Sequence, residues 1–225
     1  MNYGEFKYPK TPHLPFSLKL SKKSDRNFDI KNIEKYFLNK EVIATEKVDG
    51  GNESLLTDAC LPRAMDDNSF MYGHESRNWI KSFWNNIRND IPEDLIISIE
   101  NMFAQHTIHY DLLPSYAIGL GVWSKSKNCL LSYDECLEWF QLLGITPAPL
   151  LYRGIYNEDK IKECFTGKSK LASDSIQEGY VVRLAEEIPR TQFKMKVAKF
   201  VTTKFSITSE HWSKSQITLN KLKEN

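Results

Sequence analysis

Several stretches of this 225-residue chain read as strands, and the unequal lengths between them limit the fold more than any other feature. Glu41 to Val48 (EVIATEKV), Asp94 to Glu100 (DLIISIE), Tyr116 to Trp123 (YAIGLGVW) and Glu178 to Leu184 (EGYVVRL) are rich in apolar, β-branched and aromatic residues. Thr191 to Val201 (TQFKMKVAKFV) alternates apolar and basic residues and reads as a further strand. Ser54 to Leu56 reads as a partner strand returning from the Asp49-Gly50-Gly51 turn. Helices are predicted over 31–38, over Asn78 to Ile87 with Trp79, Phe83 and Ile87 on one face, and over Glu158 to Phe165. Another opens at Ser132, a fitting N-cap with Glu135 three residues on, and stops at Gly144. No regular βαβ interval runs through these elements, so the class is α+β with antiparallel sheets.

The chain reads as one domain over 1–225. Residues 1–40 form an extended then helical entry with Pro9, Pro12 and Pro15, and 205–225 form a short basic tail with no separate OB-fold domain. A hydrophobic fraction of 41% suits a single core. The formal net charge is +1, so any nucleic acid must be met by local basic patches. Arg190 to the C-terminus is such a place: it holds eight lysines and arginines against Glu210 and Glu224. The four cysteines make no CxxC pair, and no apolar run approaches the ~20 residues that span a bilayer. The expectation is a soluble, cytoplasmic chain with reduced thiols and no membrane partner.

The chemistry begins at Thr45-Glu46-Lys47-Val48-Asp49-Gly50. A lysine closing an apolar strand before a tight turn is fixed in place and partly desolvated. Burial and nearby cations lower an ammonium pKa and leave a nucleophilic amine. Glu100, near the end of its strand, can hold a ribose hydroxyl or a metal-bound water. Glu178, before Gly179 and a β run, suits a hard metal in a cleft. Strand alternation puts Lys194 and Lys196 on one face as a phosphate clamp, although lysines also guard ordinary edge strands. Taken singly, each of these is a common strand-end or turn feature.

Their order, Lys-x-Asp-Gly, a strand-borne Glu, Glu-Gly-x-Val-x-Arg and Phe-Lys-x-Lys, resembles the RNA ligase family of covalent nucleotidyltransferases, near the phage RNA ligase 2 type. The resemblance extends to stretches without evident chemistry, among them residues 7–15, 103–106, 110–116 and 151–154. It implies a ligase-type nucleotidyltransferase (ATP-grasp-like) fold with antiparallel sheets, flanking helices and a nucleotide cleft. It implies a lysyl-AMP intermediate at Lys47, formed from ATP with Mg²⁺ or Mn²⁺, then transfer of AMP to a 5′-phosphate end and sealing to a 3′-hydroxyl. By the same resemblance Lys194 and Lys196 serve catalysis on the α-phosphate. Glu46, Val48, Asn52, Arg63, Glu100, Leu120, Glu178 and Lys199 join Lys47 around the nucleotide, and Glu178 and Glu100 are the metal ligands. His74, Arg77 and Lys204 are expected to contact nucleic-acid phosphates. The partner implied is RNA, including nicked or mixed duplex, gripped by a monomer or with an accessory protein.

The chain departs from the family pattern in places. Ile99 stands where glycine is frequent, Gly121 where an aspartate usually follows, and Leu120 where a phenylalanine commonly stacks on adenine. Such stacking is worth ~1–3 kcal/mol. In an ideal strand Tyr116 shares Leu120's face and Trp123 does not. The same chemistry serves DNA ligases and GTP-using capping enzymes. A non-catalytic nucleic-acid-binding protein with this fold is the alternative of another class.

Overall fold

A computed structural model describes residues 7–17, 29–63, 74–202 and 217–224. Eleven strands lie among the described residues: β1 (Glu41–Lys47), β2 (Gly51–Leu55), β3 (Cys60–Pro62), β4 (Leu95–Asn101), β5 (Ala117–Ser124), β6 (Cys129–Leu130), β7 (Thr146–Pro147), β8 (Leu150–Ile155), β9 (Gly179–Leu184), β10 (Ile188–Pro189) and β11 (Val197–Val201). They form two sheets. One has four strands in the order β11-β9-β1-β8; the other runs β10-β6-β5-β4-β2-β3, with β7 alongside β5. All pairings are antiparallel except that of β7. The α+β class with antiparallel sheets is therefore the observed one.

β2 does not return along β1, as the turn at Asp49-Gly50-Gly51 led us to expect. It pairs with β4 and β3 in the second sheet. The reason lies in the turn. A Cβ on Gly50 would sit 2.6 Å from the Asn101 carbonyl oxygen and 2.8 Å from the Met102 sulfur. Only glycine lets the backbone lie this close to the end of β4. The Asp49 carboxylate accepts from the Thr107 and Ile108 amides at 2.8 and 3.2 Å, and the Asp49 amide donates to the Tyr110 hydroxyl at 3.0 Å. The turn is thus bound to the second sheet and its following loop.

The helices follow their sequence signals. Ser132 and Glu135 cap the Tyr133–Leu142 helix reciprocally, and Gly144 leaves it at φ +64°. The Asn78–Ile87 helix buries Ile80 completely, while Trp79, Phe83 and Ile87 lie half-buried on its flank. Glu158–Glu163 is helical as expected. Residues 191–196 are not strand: a 3-10 turn (Arg190–Gln192) runs into a single helical turn (Phe193–Lys196), and only Val197–Val201 is extended. Phe193 drives this local choice, because its ring goes into the core against Trp123.

The C-terminal stretch 217–224, although mostly exposed, is pinned by backbone hydrogen bonds to the 103–113 segment. Asn220 is buried, donates to the Met102 carbonyl at 2.8 Å and accepts from the Tyr110 amide at 2.9 Å. All four cysteines are free and buried. Among the described residues no helix is long and apolar enough to cross a membrane.

Two expected phosphate contacts are corrected here. Arg77 is 1% exposed and holds Glu53 through its Nε and Nη2 at 2.6 and 2.8 Å, with a further bond to the Cys60 carbonyl. Its guanidinium ties the Asn78–Ile87 helix to β2 and is not open to a nucleic-acid backbone. His74 is also buried, and its Nδ1 accepts from the Ser76 amide to cap the turn at Glu75–Arg77. Lys204 lies outside the described residues. Removing one member of a buried ion pair leaves the other charge uncompensated. Arg77→Ala should therefore lower unfolding stability by about 3–5 kcal/mol in urea titration, and a change within experimental error would refute the pair's structural role.

Candidate active site

A cavity of about 310 Å³, within the range of small-ligand sites, opens where the two sheets meet. Strand register decides what faces it, since residues opposite one another in an antiparallel pair share a face. Thr45 is opposite Val181, Val181 is opposite Lys199, and Lys47 is opposite Gly179. One face of the first sheet thereby presents Thr45, Lys47, Val181, Arg183 and Lys199 to the cavity. The second sheet contributes Asn52 and Glu100, a directly opposed pair, together with Arg63 and Leu120. Val48, Glu46 and Glu178 line the cavity as well.

Lys194 and Lys196 are not brought to this cavity. Lys194 is exposed, and the Lys196 ammonium pairs with Glu186 at 3.2 Å. The expected clamp rested on a strand through both, and the helical turn removes it. Parity also opposes it: a strand extended back from β11 would put even-numbered residues on the face opposite Lys199. Of the basic residues in this segment, Lys199 is the one lining the cavity.

The electrostatics differ from the simple expectation for Lys47. Its Nζ donates to Glu178 Oε2 at 2.5 Å. Burial alone would pull the ammonium pKa down, but the carboxylates of Glu178, Glu100 and Asp49 more than offset this and raise it above the ordinary lysine value. In the free chain Lys47 is thus an ammonium held by acids, not a neutral amine. Burial pushes Glu178 up to about 7 against the pull of Lys47, with Asp49 and Glu100 adding to the rise. Glu100 is likewise raised by burial; its oxygens accept from the Gly50 amide at 3.2 Å and Asn52 Nδ2 at 3.4 Å. Glu46 is buried, and its two oxygens are taken by the Ser169 hydroxyl and the Lys170 amide. Its carboxylate therefore braces the 166–178 loop.

β5 carries a bulge that the alternation rule misses. Ser98 faces Gly121 while Ile99 faces Gly119, so Leu120 is the extra residue. The bulge shifts parity, and Trp123 lands on the same side as Leu120 after all. Tyr116 points elsewhere, its hydroxyl donating to the Asn220 carbonyl and its ring meeting Trp79 and Phe103. Gly119 and Gly121 admit Phe140 and Leu130, each approaching within 2.7 Å of where a Cβ would stand.

Six further lining residues carry no role in the sequence pattern: Tyr8, Lys10, Thr11, Thr45, Val181 and Arg183. The Tyr8 hydroxyl is pushed up to about 12 by burial and stays protonated. Arg183 is buried and donates to the carbonyls of Leu131, Leu184 and Glu186. Its place in Glu-Gly-x-Val-x-Arg was a signal for it. Tyr8, Lys10 and Thr11 had only their position in the 7–15 stretch.

Residues 40–201 match the model of a family described as RNA ligase. No curated protein matches the sequence significantly. Among solved structures, a provisionally assigned ATP-dependent DNA ligase of Aquifex aeolicus is similar at 18% identity and TM-score 0.54, over 87% of this chain and 50% of that one. An archaeal ATP-dependent RNA ligase is similar at 16% identity and TM-score 0.53, over 87% and 48%. A K326A mutant of the Naegleria gruberi RNA ligase, solved with ATP and Mn, is similar at 11% identity and TM-score 0.50, over 88% and 61%. The chain thus spans about half to three-fifths of the length of these proteins, and the likeness is one of fold.

Glu178 is the first of the groups that raise Lys47. Glu178→Gln should therefore lower the Lys47 pKa and speed its acylation by an amine-reactive reagent at mildly alkaline pH. Competitive labelling read by mass spectrometry checks this, and an unchanged or slower rate at Lys47 would contradict the electrostatic account.

Proposed function

The chain belongs to the RNA ligase family, and from that premise we propose that it is an ATP-dependent RNA ligase that captures AMP on Lys47. The observation that carries the reading is the Lys47–Glu178 pair, standing in one cavity with Glu100, Arg63 and Lys199. An amine on a fixed strand end, acids beside it and cations across from it are what nucleotidyl transfer requires.

The donor set fits a divalent cation. Glu178 and Glu100 offer carboxylate oxygens, and burial keeps both above the ordinary range, a cost that a bound cation offsets. Among the described residues no group of three or more His, Cys, Asp or Glu is arranged to hold a metal by itself. Mg²⁺ and Mn²⁺ keep waters and take substrate phosphate oxygens alongside one or two carboxylates, as Glu178 and Glu100 would supply. Such an ion, when bound, supplies charge that neutralises the triphosphate and weakens the carboxylate field keeping Lys47 protonated.

The chain's own residues do the rest. Lys199 and Arg63 pair with phosphate or ribose oxygens, and Glu100 with a ribose hydroxyl. Lys47 gives up its proton to solvent before it attacks. The freed Nζ lone pair forms a bond to the α-phosphorus as the α–β bridging oxygen bond breaks and pyrophosphate leaves. AMP then passes to a 5′-phosphate end, and a 3′-hydroxyl displaces it. Lys194 and Lys196 have no part in this reading, because neither faces the cavity.

The test begins with protein stripped of any bound AMP by pyrophosphate. Incubated with Mg²⁺ and α-labelled ATP or GTP, the wild-type chain should take up acid-stable label from ATP, and Lys47→Ala should take up none. Absence of label from both nucleotides would refute covalent capture, and label from GTP alone would favour a capping-type enzyme. Pre-adenylated RNA and DNA ends then separate the sealing step and its strand preference.

A further inference from the structure

The stretch 7–17 lies outside the residues that match the family model, yet it forms part of the cavity. Its backbone is fixed to β11: the Leu14 amide donates to the Lys199 carbonyl at 2.7 Å, and the Lys199 amide donates to the Pro12 carbonyl at 2.9 Å. The Ser17 hydroxyl accepts from the Val201 amide at 3.0 Å, and Leu14 is buried. At the other end the Arg190 guanidinium donates to the Lys7 carbonyl at 3.3 Å. Between these anchors the chain crosses the cavity from one wall to the other.

Tyr8 stands on the Leu120 wall. Its ring is nearly perpendicular to Trp123 and Phe193, at centroid distances of 6.0 and 5.4 Å. Trp123 follows Leu120 on β5 and lies on the same side because of the bulge. Tyr8 therefore covers Trp123 and is the aromatic ring among the residues lining the cavity. Its other apolar lining, Val48, Leu120 and Val181, is aliphatic. Lys10 stands toward the other wall, two residues before the bond that joins Pro12 to Lys199. Lys199 shares its sheet face with Lys47. Lys10 is exposed at the rim.

We propose that residues 8–11 are a wall of a nucleoside triphosphate site: Tyr8 supplies the ring against which the purine lies, and Lys10 supplies a cation to the outer phosphates. This rests on the nucleotidyl-transfer reading above. It explains how the chain holds a base although Leu120 stands where a ring is usual. A strap needed only for packing would not have to place a tyrosine and a lysine along the lining of the same cavity.

The test compares binding of ATP and of inorganic tripolyphosphate, which has no base, by calorimetry on the full chain. Tyr8→Leu should weaken ATP about ten-fold, the loss expected for one stacked base, and leave tripolyphosphate unchanged. Lys10→Ala should weaken both ligands several-fold, by less at high salt. Undiminished ATP binding in either variant would overturn the assignment of that residue. Equal loss of both ligands in Tyr8→Leu would show a packing role only. If Tyr8→Leu does not fold, Lys10→Ala decides, because its side chain is exposed. A wild-type chain that binds neither ATP nor GTP would overturn the reading of the site and this inference with it, whereas tight binding unaffected by both substitutions would overturn this inference alone.

Discussion

The passage from one sheet to the other within Val48, Asp49 and Gly50 is the constraint on which the cavity depends. It puts Lys47 at the end of β1 in one sheet and Asn52 at the start of β2 in the other, so their neighbours converge from two sides. Three contacts hold the crossing: Gly50 against the Asn101 carbonyl, the Asp49 carboxylate on the 107–108 amides, and Glu100 on the Gly50 amide. A distant part of the chain supports them. Asn220 holds Tyr110, and Tyr110 receives the Asp49 amide, so the C-terminal stretch reaches the Asp49-Gly50 turn through two buried side chains.

Charge at the crossing is deliberately unequal in its effect. One ammonium sits among the carboxylates of Glu178, Glu100 and Asp49, and those acids both raise Lys47 and are themselves crowded. A buried cluster of this kind costs stability. Contrast Arg77 and Glu53, which satisfy one another in a closed pair and leave nothing for a ligand. Perturbed, mutually opposed groups in a cleft mark a site where charge is to be received, whereas a closed pair marks structure.

Much of this was legible in local residue patterns. β1, β4, β5 and β9 lie within two residues of their apolar runs, and the Ser132–Glu135 capping box was visible as spacing. Lys47, Glu100 and Glu178 were legible from the order of their motifs, which resembles that of the RNA ligase family; singly, each is an ordinary strand-end or turn feature. Lys199 was harder to rank above Lys194 and Lys196. In eleven residues the period of a strand and the start of a helical turn overlap, and burial of Phe193 against Trp123 decides between them. The bulge at Leu120 leaves no local mark, because it depends on how β4 and β5 pair. Arg77 looked like a surface cation because its partner lies twenty-four residues away.

By itself, then, the sequence determined the type of most strands and helices and the glycine that the crossing turn requires, which depend on side-chain period and backbone sterics and are local. Lys47, Glu100 and Glu178 were singled out by the resemblance of their motif order to the RNA ligase family. Only the tertiary structure decided that β2 leaves for the second sheet, that Lys199 and not the Lys194–Lys196 pair lines the cavity with Lys47, and that Tyr8 and Lys10 join the cavity from the far end of the chain. Each of these depends on register and on contacts between residues remote in sequence. The sign of the Lys47 shift belongs with them, because it is set by how many carboxylates the fold gathers around one amine.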